Sequence, residues 1–253
     1  MRPAVCDRRP SGGVFLENLY IVMPAYNEED NIDQTVEEWY PVAERVNREP
    51  GCQAHLLIIN DGSRDQTENR LQQLVLSRPL MQFITKPNSG HGPTLICAYR
   101  TALEKGADYI FQTDSDGQTS PDEFDRLWRR RKHYDAIFGS RTRRRDGFDR
   151  ILAERSLCLL LKIIFGVSIP DANAPFRLMR AQFVREYLPL LPEDYFLPNV
   201  MLTVFGAWYH RRIRFVPVSF RPRQAGKNSM DFLRIVRVGV KSVRDFYAFR
   251  ASM

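Results

Sequence analysis

The run Thr113-Asp114-Ser115-Asp116-Gly117-Gln118 closes an apolar stretch, Tyr109-Ile110-Phe111. In an extended chain successive side chains alternate faces, so Asp114 and Asp116 are expected on one side, about 6.5 Å apart, with Ser115 turned back. Two carboxylates on one face suit a hard divalent cation, Mg²⁺ or Mn²⁺. Such an ion takes oxygen from one or two carboxylates and fills its octahedron with water and a substrate diphosphate. An isolated Asp-x-Asp is also an ordinary turn. What distinguishes this one is that three further polar loops precede it, each at the end of an apolar run.

The first is Pro24-Ala25-Tyr26-Asn27-Glu28-Glu29, which reads as a strand-to-helix turn with Asn27 as cap and acidic residues at the positive helix end. The second, Asn60-Asp61-Gly62-Ser63-Arg64-Asp65-Gln66-Thr67, has Gly62 for a sharp turn and Asp65 as a helix cap, and Asp61 offers an acceptor to donors on a base or ribose. The third, Asn88-Ser89-Gly90-His91-Gly92-Pro93-Thr94, has two glycines for close backbone approach, and the N–H groups of the helix start can face anionic oxygens.

The elements that must carry these loops alternate. Strand-like runs at 19–23, 55–59, 81–85, 107–113 and 136–139 are separated by helical stretches at 29–46, 66–76, 94–104 and 121–132. This alternation predicts an α/β fold with a mostly parallel sheet covered by helices on both faces and ligands beyond the carboxyl ends of the strands. Further on, the pattern predicts helices at 151–165, 198–207 and 231–249, with strands at 176–179 and 213–220. The domain reading is an N-terminal extension at 1–17, one catalytic domain at 18–229 and a C-terminal amphipathic basic helix at 230–253.

With 253 residues and 43% hydrophobic content, the chain has enough apolar material for a substantial core, which excludes disorder as its default. Cys6, Cys52, Cys97 and Cys158 form no close pair, and the histidines lack zinc-ligand spacing, so reduced thiols in a cytosolic protein are expected. No secretory leader pattern is read. Apolar runs at 157–161 and 163–167 fall far short of the ~20 residues that span a bilayer. The formal charge of +7 is clustered at 129–132, at 141–145 and along Arg234, Arg237, Lys241 and Arg244. Such clusters meet nucleic acid, anionic lipid or a phosphorylated substrate.

The order of motifs, Pro-x-Tyr-Asn-Glu, Asn-Asp-Gly-Ser-x-Asp-x-Thr, Gly-x-Gly and Asp114-x-Asp116-x-Gln118, resembles the family-2 glycosyltransferases of the GT-A fold, with a Rossmann-like nucleotide-binding half. Downstream, Gly139-Ser140-Arg141, the helix around Arg155, the segment 171–180 and the stretch 223–229 resemble the polyprenyl-phosphate branch, which includes dolichol-phosphate mannose synthases. The resemblance implies a nucleotide-sugar donor held by Pro24, Ala25, Tyr26, Glu28, Asn60, Asp61, Gly90, Gly92, Asp114 and Ser115. It implies a metal at Asp114, Asp116 and Gln118, and phosphates addressed by Arg141, Arg155, Arg223 and Ser229, with Arg177 and Asp171 in the catalytic set. The chain departs from the pattern at Asn60, where the family has aspartate, which bears on base preference. It departs again at Met230, where lysine is common and Lys227 is the substitute, and at Ala174-Pro175 before Phe176-Arg177, which bears on sugar or acceptor choice.

A polyprenyl phosphate as acceptor is already largely ionised, its second pKa being ~6, so cations to position it are needed rather than a base. A saccharide hydroxyl would need a base, and Asp171 is then the first candidate, with capping or salt-bridging as its structural alternative. Three rival readings are a nucleic-acid binder, a nucleotidyltransferase and an inactive scaffold, and the intact Asp114 and Asp116 count against the last. Against the first, the arginine clusters lack interleaved aromatics for base stacking. Against a nucleotidyltransferase, the loop at 23–26 lacks a Gly-rich sequence with Arg and Lys. The basic spacing at 234, 237, 241 and 244, beside Leu233, Val236, Val240, Val243 and Tyr247, predicts an interfacial helix. The expected partners are therefore an anionic membrane surface and a membrane partner protein, at the cytoplasmic face.

Overall fold

Why the polar loops converge follows from the strand order. In the computed structural model the described residues are 16–143, 148–221 and 232–253, without the side chains of 142–151 and 232–240. The elements run β1 (Glu17–Ala25), α1 (Ile32–Asn47), β2 (Cys52–Asn60), α2 (Thr67–Leu76), β3 (Met81–Thr85), α3 (His91–Glu104), β4 (Tyr109–Thr113) and α4 (Phe124–Trp128). Then follow β5 (Ala136–Arg143), α5 (Phe148–Phe165), β6 (Phe176–Arg180), α6 (Ala181–Tyr187), α7 (Pro198–Trp208), β7 (Ile213–Ser219) and α8 (Phe232–Ser252). The strands form one sheet in the order β3-β2-β1-β4-β6-β5-β7. All adjacent pairs are parallel except β4 with β6 and β6 with β5.

The chain first builds outward from β1 to β3, then returns through α3 to lay β4 on the other side of β1. That reversal is a topological switch point, where open α/β sheets bind ligands. β6 runs the other way, with Thr113 beside Phe176, so its amino end meets the carboxyl end of β4. The segment before β6 therefore arrives at the same sheet edge as the loops after β1, β2, β3 and β4.

Period-two alternation builds two cores. Leu19, Ile21 and Met23 face Trp39 and Val42 of α1, while Tyr20 and Val22 face Leu95 and Tyr99 of α3. Under the site, Phe111 packs on Trp39 at 5.3 Å and edge-on against Phe176 at 4.8 Å. The second face also receives α8, through buried Ser242 and Phe246 and through Phe249 against Tyr195 at 5.3 Å. This packing leaves the described residues of the expected interfacial stripe off the packed face, with Lys241 and Arg244 exposed and Val243 half-buried. Tyr247 points outward at 58% exposure, and the packed face is the one carrying residues 242, 246 and 249. The side chains of Leu233, Arg234, Val236, Arg237 and Val240 lie outside the described residues.

Other boundaries shifted for local reasons. The helix expected over 121–132 is a 3₁₀ turn followed by the five-residue α4. Helix α6 was not read from the sequence. Asn27 is no helix cap, because α1 begins five residues later at Ile32 and Asn27 has left-handed backbone, φ 52°. Among the described residues no helix is long and apolar enough to cross a membrane.

Gly92, in the first turn of α3, explains one close approach. A Cβ there would stand 2.5 Å from Phe196 Cα and 2.5 Å from the Tyr195 carbonyl oxygen. The glycine lets α3 lie against backbone, not a ligand, which corrects its expected role beside a phosphate. Gly92→Ala should lower stability by about 1–3 kcal/mol through overpacking, read as a shifted denaturant midpoint with unchanged slope. An unshifted midpoint would contradict this packing.

Candidate functional site

The first two loops are joined by hydrogen bonds across more than thirty residues. Asn27 N donates to Ser63 Oγ at 3.0 Å, and Arg64 N donates to Asn27 Oδ1 at 2.9 Å. Glu28 N donates to Thr67 Oγ1 at 2.8 Å, Glu29 N to Asp65 Oδ2 at 3.1 Å, and Gln66 N to Glu29 Oε2 at 2.9 Å. The polar residues of the second motif thus serve largely to hold the first. Pro24 and Ala25 are buried, with carbonyls accepting from Ser115 Oγ and Asp61 N, whereas Tyr26 is exposed at the crest. Glu28 is buried, and its Oε2 accepts from Asn31 at 2.7 Å.

Asn60 is fully buried and internal. Its amide donates to Thr85 Oγ1 at 3.2 Å and accepts from Ser63 Oγ at 2.6 Å, so its expected contact with a nucleotide is corrected to a fold role. Asp61 accepts from Ser89 N and Gly90 N, both at 2.9 Å, and from Lys86 Nζ. Two N–H groups of the loop just before α3 are thus taken by this internal carboxylate. Gly90, at φ +94°, is the residue that lets the loop turn so that both N–H groups point at Asp61.

Strand β4 stops at Thr113, and the next residues bend, with Gly117 at φ 71°. The strand alternation expected for Asp114 and Asp116 therefore does not extend through them. What fixes the bend is a set of side-chain bonds: Thr113 Oγ1 with Thr119 Oγ1 at 2.6 Å, and Gln118 N to Asp116 Oδ1 at 3.2 Å. Ser115 is buried, with its hydroxyl on Pro24 O at 2.7 Å and its carbonyl accepting from Thr35 Oγ1 at 2.9 Å. Ser115 points inward, then, while Asp114 and Asp116 are partly exposed. Gln118 donates to the Arg221 carbonyl at 3.0 Å, tying the bend to the segment after β7.

On the other flank Arg141 and Asp171 meet in a two-pronged pair. Arg141 Nε donates to Asp171 Oδ2 and Nη2 to Oδ1, both at 2.8 Å, and Arg141 N adds a bond to Oδ2 at 3.0 Å. Glu154 accepts from Arg141 at 3.2 Å and from Ala172 N at 2.9 Å. The salt-bridging alternative for Asp171 therefore has Arg141, not Arg177, as its partner. Arg177 is corrected in turn: it is wholly buried and donates to the carbonyls of Ala174, Asn199 and Ala172 at 2.9, 2.9 and 2.5 Å. Burial lowers its guanidinium to about 10, so it remains a cation at neutral pH, held by protein and not by substrate. Arg155 stands exposed on α5. Arg223, Lys227 and Ser229 lie outside the described residues.

The donor set at the bend fits a hard cation. Asp114 and Asp116 both offer oxygen, and among the described residues no group of three or more His, Cys, Asp or Glu side chains is placed to hold a metal ion. A site of two carboxylates leaves the remaining positions to water and phosphate, as Mg²⁺ and Mn²⁺ prefer.

A family model described as glycosyl transferase family 2 matches residues 20–188. The chain belongs to that family. It is 22% identical over 226 residues to an undecaprenyl-phosphate 4-deoxy-4-formamido-L-arabinose transferase of Pectobacterium atrosepticum, covering 88% of this chain and 65% of the relative. It is 25% identical over 219 residues to an undecaprenyl-phosphate mannosyltransferase of Micrococcus luteus, covering 83% of this chain and 86% of the relative. The chain thus spans slightly less than two thirds of the length of the arabinose-transferase relatives. Its fold matches glucosyl-3-phosphoglycerate synthase from Mycobacterium tuberculosis, in complex with Mn²⁺ and uridine-diphosphate-glucose. The TM-score is 0.65 at 16% identity, covering 92% of this chain and 79% of that one. The sheet is thus the GT-A architecture that the motifs resemble.

Within this family-2 framework, sequence reasoning missed Gln112, Asn199, Tyr99 and Glu154. Gln112 and Asn199 did leave a signal, each being a polar residue inside an apolar run. Arg177→Ala should leave three buried carbonyls short of a donor and open a cavity, lowering stability by roughly 3–5 kcal/mol. Urea unfolding checks this. A loss below about 1 kcal/mol would return Arg177 to the list of substrate contacts.

Proposed function

We propose that this chain transfers a sugar from a nucleotide-sugar donor to a polyprenyl phosphate by a single, inverting displacement that depends on Mg²⁺ or Mn²⁺. The observation that carries the reading is the pair Asp114 and Asp116, presented partly exposed at the switch point of a family-2 chain. Support for the lipid phosphate comes from the chain's similarity to undecaprenyl-phosphate sugar transferases, and support for a metal and a nucleotide sugar from the Mn²⁺ and uridine-diphosphate-glucose in complex with the Mycobacterium tuberculosis enzyme of the same fold.

Asp114 and Asp116 would hold the cation. When bound, it supplies charge stabilisation for the departing diphosphate oxygen. Pro24, Ala25 and Tyr26 form the wall beside the bend, and Asp61 holds Lys86 and the Gly90 loop at its rim. A hydroxyl acceptor would require a proton acceptor near the sugar. Asp171, the residue named for that task, has both oxygens already committed to an ion pair with the Arg141 guanidinium. This favours an acceptor that arrives already ionised. The exposed Arg155 on α5, with Arg223 and Ser229, is assigned to guiding its phosphate.

Peripheral attachment to the cytoplasmic face of an anionic membrane, alone or beside a membrane partner protein, belongs to the same reading. Its support is on α5. Leu152, Leu159 and Ile163 are 55%, 59% and 68% exposed, at spacings that share one helical face, with exposed Arg155 and Lys162 alongside. Each basic residue near such a surface contributes ~1 kcal/mol.

Asp116→Ala should reduce Mn²⁺-dependent affinity for nucleoside diphosphates by about tenfold or more while thermal unfolding stays cooperative. Sugar transfer to a polyprenyl phosphate should fall to background. Undiminished Mn²⁺-dependent binding in the variant removes the metal assignment, and transfer to saccharides alone removes the lipid one. In vesicle sedimentation the wild type should bind anionic liposomes and be released by salt. Replacing Leu159 and Ile163 with Gln should lower retention several-fold. Equal retention by neutral vesicles, or by the double variant, would defeat the attachment.

A further inference from the structure

A line of three buried polar side chains runs from the interior of the α3–α7 face to Asp114. Tyr99 Oη donates to Asn199 Oδ1 at 2.7 Å, Asn199 Nδ2 to Gln112 Oε1 at 3.1 Å, and Gln112 Nε2 to Asp114 Oδ1 at 3.1 Å. Tyr99, Asn199 and Gln112 are 0%, 1% and 0% exposed. They come from α3, α7 and β4, so the line exists only once those three elements have packed.

The line has a direction. An amide presents an acceptor at one end and donors at the other, so its orientation is set by its neighbours. A tyrosine hydroxyl donating to Asn199 Oδ1 turns the asparagine NH₂ toward Gln112, and that turns the glutamine NH₂ toward the carboxylate. Burial raises the Tyr99 pKa, so the hydroxyl keeps its proton through the working range. Asn199 is fixed along its main chain as well, its carbonyl accepting from Arg177 at 2.9 Å and Thr203 at 2.8 Å. The last link crosses the end of the strand. Gln112, next to last in β4, lies on the side of the sheet that α3 and α7 cover, and its amide reaches the carboxylate at the bend two residues on.

The line ends on a partly exposed carboxylate at the edge of the sheet. We propose that Tyr99, Asn199 and Gln112 are positioning residues, a directional hydrogen-bond relay that holds the Asp114 carboxylate in one orientation before the cation and diphosphate arrive. The proposal rests on the metal-dependent reading above. Fixing a ligand beforehand removes ordering that binding would otherwise have to impose, and outer partners of this kind change metal affinity by about 10–100-fold.

The test is calorimetric titration of ADP, CDP, GDP and UDP, each with and without Mn²⁺, into wild type, Gln112→Met and Tyr99→Phe. The quantity read is the ratio of the affinities with and without the metal. Gln112→Met should lower that ratio by about 10–100-fold and Tyr99→Phe by a smaller factor, with metal-free affinity unchanged in both. Thermal melts accompany each titration, and Tyr99→Phe, which deletes one oxygen, retains the fold should the methionine variant not. A purely structural role would lower the melting temperature and leave the ratio alone. If the wild type shows no metal-dependent binding, the metal reading falls and the relay with it. If the wild type binds and the variants keep its ratio, the relay alone is overturned.

Discussion

Much of the molecule is arranged around a cation that has no access to water. Arg177 is enclosed completely, and an isolated charge in such a place is strongly unfavourable unless its donors are met. Here the acceptors are main-chain carbonyls of residues 172, 174 and 199, with the ring of Phe138 at 4.6 Å from the guanidinium carbon. Those carbonyls belong to the segment before β6 and to the first turn of α7. Meeting the charge therefore sets where both pieces of chain lie. The segment so placed carries Asp171, and the helix so placed carries Asn199. One buried guanidinium thus reaches both flanks of the site, the Arg141–Asp171 pair on one side and Asp114 on the other.

A similar economy of parts governs the first two loops. Motif residues with the look of ligand contacts are occupied with one another: Ser63 and Arg64 with Asn27, Asp65 with Glu29 and Thr67, Asn60 with Thr85. The local conformation of each loop is awkward alone, as the left-handed Asn27 illustrates, and becomes stable only in company with the other. Rigid walls made in this way need little rearrangement when a ligand binds.

The sequence made the βα alternation legible because buried strands and amphipathic helices leave different periods, and the carboxylates after β4 stood out by type and position. Ser115 was also read with the right facing, though for a reason that did not hold: a bend closed by Thr113 and Thr119 turns it inward, not a pleat. Less visible were pairings that form only on folding. Asp171 meets a partner thirty residues earlier, Asp61 meets N–H groups twenty-eight and twenty-nine residues later, and Asn199 reaches back to Gln112 across eighty-seven. No local pattern encodes such distances. Gly92 illustrates the same gap, since glycine near a helix start signals close approach but not what approaches. Helix α6 is short, seven residues, and followed directly by a 3₁₀ turn, so it leaves little periodic signal.

The reversed direction of β6 has a consequence for how this chain tolerates change. Because β6 enters at the edge that carries the carboxylates and leaves at the opposite one, the connections divide into two groups by position on the sheet. Residues 106–108, 133–135 and 209–212 join elements at the far edge, where Asp135 gathers Arg180 and Arg212 through its main chain and Asp108 does the same for Asn18 and Ala181. Length variation there is shielded from the chemistry by the whole height of the sheet. The short passage from 171 to 175 has no such shield: lengthening it by one residue would move Asp171 relative to Arg141 and shift the register of β6 against β4. The fold thus confines its freedom to diversify mostly to the side away from its work.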